Sequence, residues 1–154
     1  MQRATTMDLV IGNAGDVDTG GTGWFLGFSP WARRPASDLL YVRAGEHQSG
    51  LCVKWYAHPA GHESGPSKPV SEGRTLSILV GERASFRIDL AESPDFPAAD
   101  TQIVVLERPG DFAAWGPGLF HRWRCQVGAT ILTLRWTPVP GSPPAADPQD
   151  GVRQ

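Results

Sequence analysis

The sequence predicts an all-β domain, closed as a sandwich or a small barrel, and three observations carry that reading. Glycine and proline are abundant, 18 and 14 of 154 residues. Val, Ile, Phe and Trp fall in short clusters between turn residues, and few of these clusters have helical spacing. A length of 154 residues favours one domain, with a core large enough to need no metal or disulfide staple.

Taken in order, residues 1–22 are polar and glycine-rich and are expected to form a flexible arm. No helix follows its glycines to cradle a phosphate, and Asp16 and Asp18 lack the remaining calcium-loop ligands. A first strand is expected over Trp24–Phe28 and an edge segment over Asp38–Arg43. Leu51–His58 alternates Cys52, Lys54, Tyr56 and His58 with Val53, Trp55 and Ala57, the period of a strand. Residues 59–73, broken by Pro and Gly, form a loop of the kind that carries function. Arg74–Val80 and Ala84–Leu90 read as a hairpin across Gly81-Glu82-Arg83. Strands then follow at Thr101–Glu107, Asp111–Trp115, His121–Gln126 and Ala129–Trp136. The proline-rich stretch 137–154 is expected to be a disordered tail. The domain proper is thus 23–136.

A net charge of -2 and a pI near 6.0 leave no electrostatic footprint for nucleic acid. No apolar run approaches a membrane span of about 20 residues, and no signal-peptide pattern is present, so a cytoplasmic location is expected. Cys52 and Cys125 are expected to be reduced, buried thiols.

The stretch from Gly110 to His121, GDFAAWGPGLFH, carries a family resemblance. Glycine, five residues, Gly116-Pro117-Gly118, two residues and His121 resemble the second conserved motif of the cupins. Gly116 stands where that family has proline, and Cys125 where it has asparagine. Arg74 to Gly81 is similar to the end of the first cupin motif, with Arg74 in the place of its glutamate. The resemblance covers about residues 50–136. It implies a double-stranded β-helix, a jelly-roll barrel with a ligand cavity inside, and in many members a homodimer.

In metal-dependent cupins, two histidines and a glutamate of the first motif join the second-motif histidine on a divalent ion. Here the histidine places fall on Lys68 and Val70 and the glutamate place on Arg74, none of which can donate a lone pair as imidazole or carboxylate does. No cofactor is therefore predicted and a divalent metal is disfavoured. Were one bound, His58, His62 and His121 would be its ligands. With His121 inward as in the family, Trp123 and Cys125 share its face, while Arg122 and Arg124 face out. The same parity turns Arg74, Leu76, Ile78 and Val80 inward. If the His58 face of its strand also points in, Lys54, Tyr56, His58, Arg74, Trp115 and Trp123 are the ligand-binding set. Such a cavity suits a small carboxylate-type anion. The alternative is a small isomerase, cyclase or lyase with His121 as acid or base and Tyr56 at a developing oxyanion; a metal-dependent dioxygenase is the weakest of the three.

Overall fold

The structure is a computed structural model that describes residues 7–27, 37–40, 46–65 and 68–140. Its strands are β1 (Leu9–Asn13), β2 (Glu46–His58), β3 (Arg74–Val80), β4 (Ser85–Ala91), β5 (Gln102–Leu106), β6 (Asp111–Trp115), β7 (Phe120–Val127) and β8 (Ala129–Pro140), with one 3-10 turn at Asp38–Leu40. Every pairing is antiparallel. The larger sheet runs β1-β6-β3-β8-β2 and the smaller β5-β4-β7. A short segment after β2 extends the smaller sheet through the Glu63–Arg124 bridge, with Gly61 N–H on the Cys125 carbonyl (2.8 Å) and Ser64 N–H on the Trp123 carbonyl (2.9 Å). From β2 the chain passes to this segment, back to β3, across to β4 and β5, back to β6, across to β7 and back to β8. That alternation between two facing antiparallel sheets is the jelly roll.

Two apolar layers hold it together. Between the sheets lie Leu79, Ala113, Trp115 and Ile131 from the larger and Phe86, Ile88, Leu90, Val104, Leu106 and Cys125 from the smaller. A second cluster covers the outer face of the larger sheet, where Leu76, Ile78, Phe112, Ala114 and Trp136 are packed by Leu39, Leu40, Phe25 and Leu26. Each buried side chain of this size stabilises by roughly 1.5–3 kcal/mol. β3 is therefore buried on both faces.

Several expectations change. The arm expected over 1–22 contains β1, which pairs with β6 from Leu9–Trp115 to Asn13–Asp111. Its Leu9 packs on the inner cluster and its Val10 on the outer one, which gives this polar stretch enough apolar contact to order. Trp24–Gly27 is a bend instead of a strand, tied by the Gly27 N–H to the Leu40 carbonyl (3.0 Å). Asp38–Leu40 is a 3-10 turn and not an edge strand; Phe28 and residues 41–43 of these two segments lie outside the described residues. β8 continues to Pro140, into the stretch expected as a tail, because Ser49, Gln48, His47 and Glu46 of the long β2 pair with Thr137 to Pro140. Residues 141–154 lie outside the described residues. Cys52 is exposed, whereas Cys125 is buried, and both thiols are free. No described helix is long and apolar enough to cross a membrane.

β1 also explains two glycines of the Gly110–His121 stretch. Gly110 has φ 92°, a left-handed conformation that side chains rarely adopt, and a Cβ there would meet the Asn13 side chain. Asp111 accepts the Glu107 and Arg108 N–H groups (3.0 and 2.8 Å) and the Asn13 amide (2.8 Å), fixing the β5–β6 turn. Gly116 donates its N–H to the Asp8 carbonyl (3.0 Å), and a Cβ on it would collide with the Asp8 carboxylate. Proline has no N–H to give. Gly116→Pro, which restores the residue of the cupin pattern, should therefore destabilise the fold by about 1–3 kcal/mol; urea unfolding midpoints of the two proteins check this.

Candidate functional site

The inner face of the larger sheet changes character along its length. At one end Leu79 and Ile131 pair within the core. One pleat further, Ser77 pairs with Thr133, their hydroxyls 3.2 Å apart, and Thr133 pairs with Lys54. The next row is Thr75, Arg135 and Cys52, with Arg135 Nε 3.4 Å from the Thr75 hydroxyl. Thr75 and Ser77 are buried, so this half of the face offers hydroxyls and cations where the other offers methyl groups. β2 is 13 residues long, but the segment opposite it makes a single bridge. The inner side of β2 is consequently uncovered, and Tyr56 stays 44% exposed.

β7 faces this region. Pairing with β4 sets His121 opposite Leu90 and Trp123 opposite Ile88, so strand alternation carries His121, Trp123 and Cys125 inward and Arg122 and Arg124 outward, as the sequence predicts. The His121 ring rests on Trp115 at 5.3 Å. The Trp115 indole donates to Ser71 Oγ (3.1 Å, buried), which fixes the platform under the imidazole. His121 Nδ1 is buried and has no hydrogen-bond partner.

The second imidazole group forms around a turn. After His58 the chain reverses at Pro59–Gly61, with Gly61 at φ 83° and the His62 N–H on the Pro59 carbonyl (3.1 Å). This returns His62 to His58, their Nδ1 atoms 3.0 Å apart. One ring must donate and the other accept across that contact. Tyr56 stacks on His62 (5.6 Å), and Trp123 meets both imidazoles edge-on at 4.5 and 5.0 Å. Lys68 lies over the Trp123 ring at 5.5 Å. The Cys125 thiol lies against the His58 carbonyl (3.5 Å).

The electrostatics are one-signed. Burial, then Lys68, Arg135 and Lys54, push the His121 pKa down to about 4. Burial, then His62, Lys54 and Lys68, do the same to His58, also to about 4. Burial and the neighbouring Lys54 and Arg135 lower Lys68 as well. Among the described residues no carboxylate contributes to the shift of any of the three groups. Both histidines are thus neutral near pH 7, among cations that a bound anion would neutralise.

The structure gathers Lys54, Tyr56, His58, Trp115, Trp123, His62 and His121 on the inner side. Arg74 is not with them. It pairs with Trp136, whose side chain belongs to the outer cluster, and Leu76, Ile78 and Val80 of the same parity pack there too. Because β3 is apolar-compatible on both faces, hydrophobic alternation could not decide its parity. Arg135 and Lys68 supply the inward positive charge instead, with Thr75, Ser77 and Thr133 beside them. Sequence reasoning missed these hydroxyls and Arg135; the alternation Thr133-Leu134-Arg135-Trp136 was their signal. As for a metal, no group of three or more His, Cys, Asp or Glu among the described residues is arranged to hold one. His58 and His62 meet each other, while His121 rests on Trp115. This donor set does not fit the four-ligand cupin site.

No family model matches the chain, and no curated protein matches it. Among solved structures it is similar to a 3,4-ketoisomerase from Helicobacter canadensis (18% identity, TM-score 0.39, 55% of this chain and 59% of that one). It is also similar to the WlaRB TDP-quinovose 3,4-ketoisomerase from Campylobacter jejuni (13%, TM-score 0.36, 64% and 66%). A third is protein NMB1881 from Neisseria meningitidis (14%, TM-score 0.31, 62% and 78%). The first of these alignments spans about three fifths of the neighbour's length, and the fold assignment rests on strand order, not on these overlaps.

The lowered histidines make stability depend on pH. Between about pH 6.5, where an unfolded histidine titrates, and about 4, where His58 and His121 do, the unfolded chain binds more protons than the folded one. Stability is then complete above pH 6.5 and falls on acidification, by on the order of 2–3 kcal/mol for each residue. Melting temperatures measured from pH 7.5 to 4.5 should drop accordingly. His58→Phe, which fits among Tyr56, Phe86 and Trp123, should flatten the slope.

Proposed function

We propose that this chain is a cupin-type jelly roll that binds a small anionic molecule on the polar half of its inner face and moves a proton on that molecule through His121. The observation that carries the reading is the His121 Nδ1, buried without a partner on an imidazole kept neutral by burial and by Lys68, Arg135 and Lys54. A buried polar atom left unpaired costs about 1–3 kcal/mol. A ligand that bonds to it removes that cost.

The roles follow from placement. Lys54, Lys68 and Arg135 hold the anionic group, and the Thr75, Ser77 and Thr133 hydroxyls orient the polar remainder. His121 takes a proton from carbon beside a carbonyl, and the positive charge it acquires is balanced by the enolate it creates. Tyr56 or Lys54 stabilises that enolate oxygen. Returning the proton to a neighbouring atom makes the reaction an isomerisation, and loss of a leaving group makes it an elimination. No metal enters these steps. Binding without turnover is the second reading, favoured by the open side along β2, since exposed Tyr56 and Lys54 leave water in the site. A homodimer would form most readily at β2, an edge strand whose outer side shows Leu51, Val53 and Trp55 at 54, 59 and 66% exposure.

A library of small keto acids and phosphorylated ketoses, screened by thermal shift and then followed in D2O by proton NMR, tests the proposal. A hit should exchange its protons beside the carbonyl. His121→Gln should slow that exchange by roughly 10²–10⁴ while binding stays within a few-fold, and Arg135→Gln should weaken binding by about tenfold or more. A ligand that binds wild-type protein but never exchanges assigns the site to binding alone.

A further inference from the structure

The outward face of the smaller sheet carries a second cluster of charge that the inner site does not use. β4 sends out Arg87 and Asp89, and β7 sends out Arg122 and Arg124. Cross-strand register sets Asp89 against Arg122 and Arg87 against Arg124. Asp89 is 2% exposed, although it lies on the outside of the sheet, because two guanidinium groups close over it. Arg87 Nε donates to one carboxylate oxygen at 2.6 Å and Arg122 Nε to the other at 2.8 Å. Burial would raise the Asp89 pKa, and these two bonds outweigh it, holding the carboxyl below its usual range. Arg122 is braced further by the Phe96 ring, 4.4 Å from its guanidinium carbon.

The geometry of that clasp leaves donors over. Each guanidinium has five N–H groups, and the hydrogen bond each makes to Asp89 uses its Nε–H, which leaves the Nη groups free of the carboxylate. The Arg87 side chain is 28% exposed and that of Arg122 43%. Arg124 stands directly across from Arg87, a like-charge pairing that is unfavourable in a sheet unless something anionic offsets it. The three arginines line one cleft together with Asp89, Glu63, Ser64, Gly65 and Trp123. It encloses about 190 Å³. That is below the roughly 300–1,000 Å³ of sites for drug-sized molecules, so it suits a single compact group.

We propose that this cleft is an anion site for one phosphate group of a small molecule, bound by the outward Nη groups of Arg87 and Arg122 together with Arg124. Asp89 is its positioning residue. By engaging both Nε atoms it fixes the planes of two guanidiniums before the ligand arrives, which removes most of the rotamer entropy that arginine otherwise loses on binding. A phosphate dianion, with more charge and more acceptor oxygens than a carboxylate, suits a cleft lined by three arginines.

The test is a titration with inorganic phosphate at constant ionic strength, chloride being the balancing anion, read from the arginine Nε–H signals in a nitrogen–proton correlation spectrum. The expected result is saturable movement of the Arg87 and Arg122 signals. Arg124→Gln, which does not touch Asp89 and so spares the buried pair, should weaken phosphate at least tenfold. Lys54→Gln, on the inner face, should leave the outer titration as it was. Arg signals that do not move, or that move equally in chloride, overturn the proposal. So does loss of the effect in Lys54→Gln, which would assign phosphate to the inner site. Because the readout is local to the outer arginines, failure here leaves the inner-site proposal standing.

Discussion

The central strands β3 and β6 of the larger sheet are covered on both faces, and the rest of the molecule depends on that. A jelly roll whose inner face carries Thr75, Ser77, Thr133, Lys54 and Arg135 gives up much of the apolar burial that would normally hold its two sheets together. Here the outer face supplies it. Leu76, Ile78, Phe112 and Trp136 pack beneath Leu39, Leu40, Phe25 and Leu26, and the Phe25 and Phe112 rings lie 5.6 Å apart. With the sheet anchored from outside, the inner face can spend half its positions on polar side chains. β1 belongs to the same arrangement, since it lengthens the sheet and touches both layers.

Within the barrel, Trp123 is the point where the two imidazole groups and the cations meet. It lies edge-on to His58 and His62, stacks on Phe86 at 5.5 Å and has Lys68 over its face. A ring in that position excludes water from the histidines while tolerating a nearby ammonium through its π face. Exclusion of water and accumulation of positive charge act in the same direction on an imidazole: both disfavour the protonated form. The site therefore keeps these bases neutral, and among the described residues no carboxylate contributes to either histidine's shift.

Much of the fold was legible because strand period and turn chemistry are local properties. β2, β3 to β8 and the Gly81-Glu82-Arg83 turn follow from alternation and from glycine placement. What was not legible came from long-range competition. Leu9–Asn13 reads as a polar arm until Phe112 and Trp115 exist to receive it. Val139 and Pro138 read as a tail until β2 extends far enough to pair with them. The inner set of β7 rests on the resemblance at His121 and that of β2 is one of two parities the sequence leaves open, while the parity expected for β3 is the wrong one, since it has a partner for either face. Arg74 was misplaced for that reason, and Arg135, which lies beside Thr75 on the inner face, sits on a strand whose facing the sequence analysis does not assign.

The positions at which the chain differs from the cupin pattern are linked by packing. Gly116 replaces proline because Asp8 of the added strand needs both its N–H and the space of its missing Cβ. Cys125 replaces asparagine at a position where the thiol touches the carbonyls of His58 (3.5 Å) and Val127 (3.1 Å), which ties β7 to the turn bearing the histidine pair. Arg74 replaces glutamate at a place on the outer side of a sheet whose outer face is already core. With Lys68, Arg135 and Lys54 acting on it, His121 faces positive charge where lone pairs would be needed for a metal. These surroundings of the imidazole are the physical basis for proposing an anion that also offers a proton as its partner.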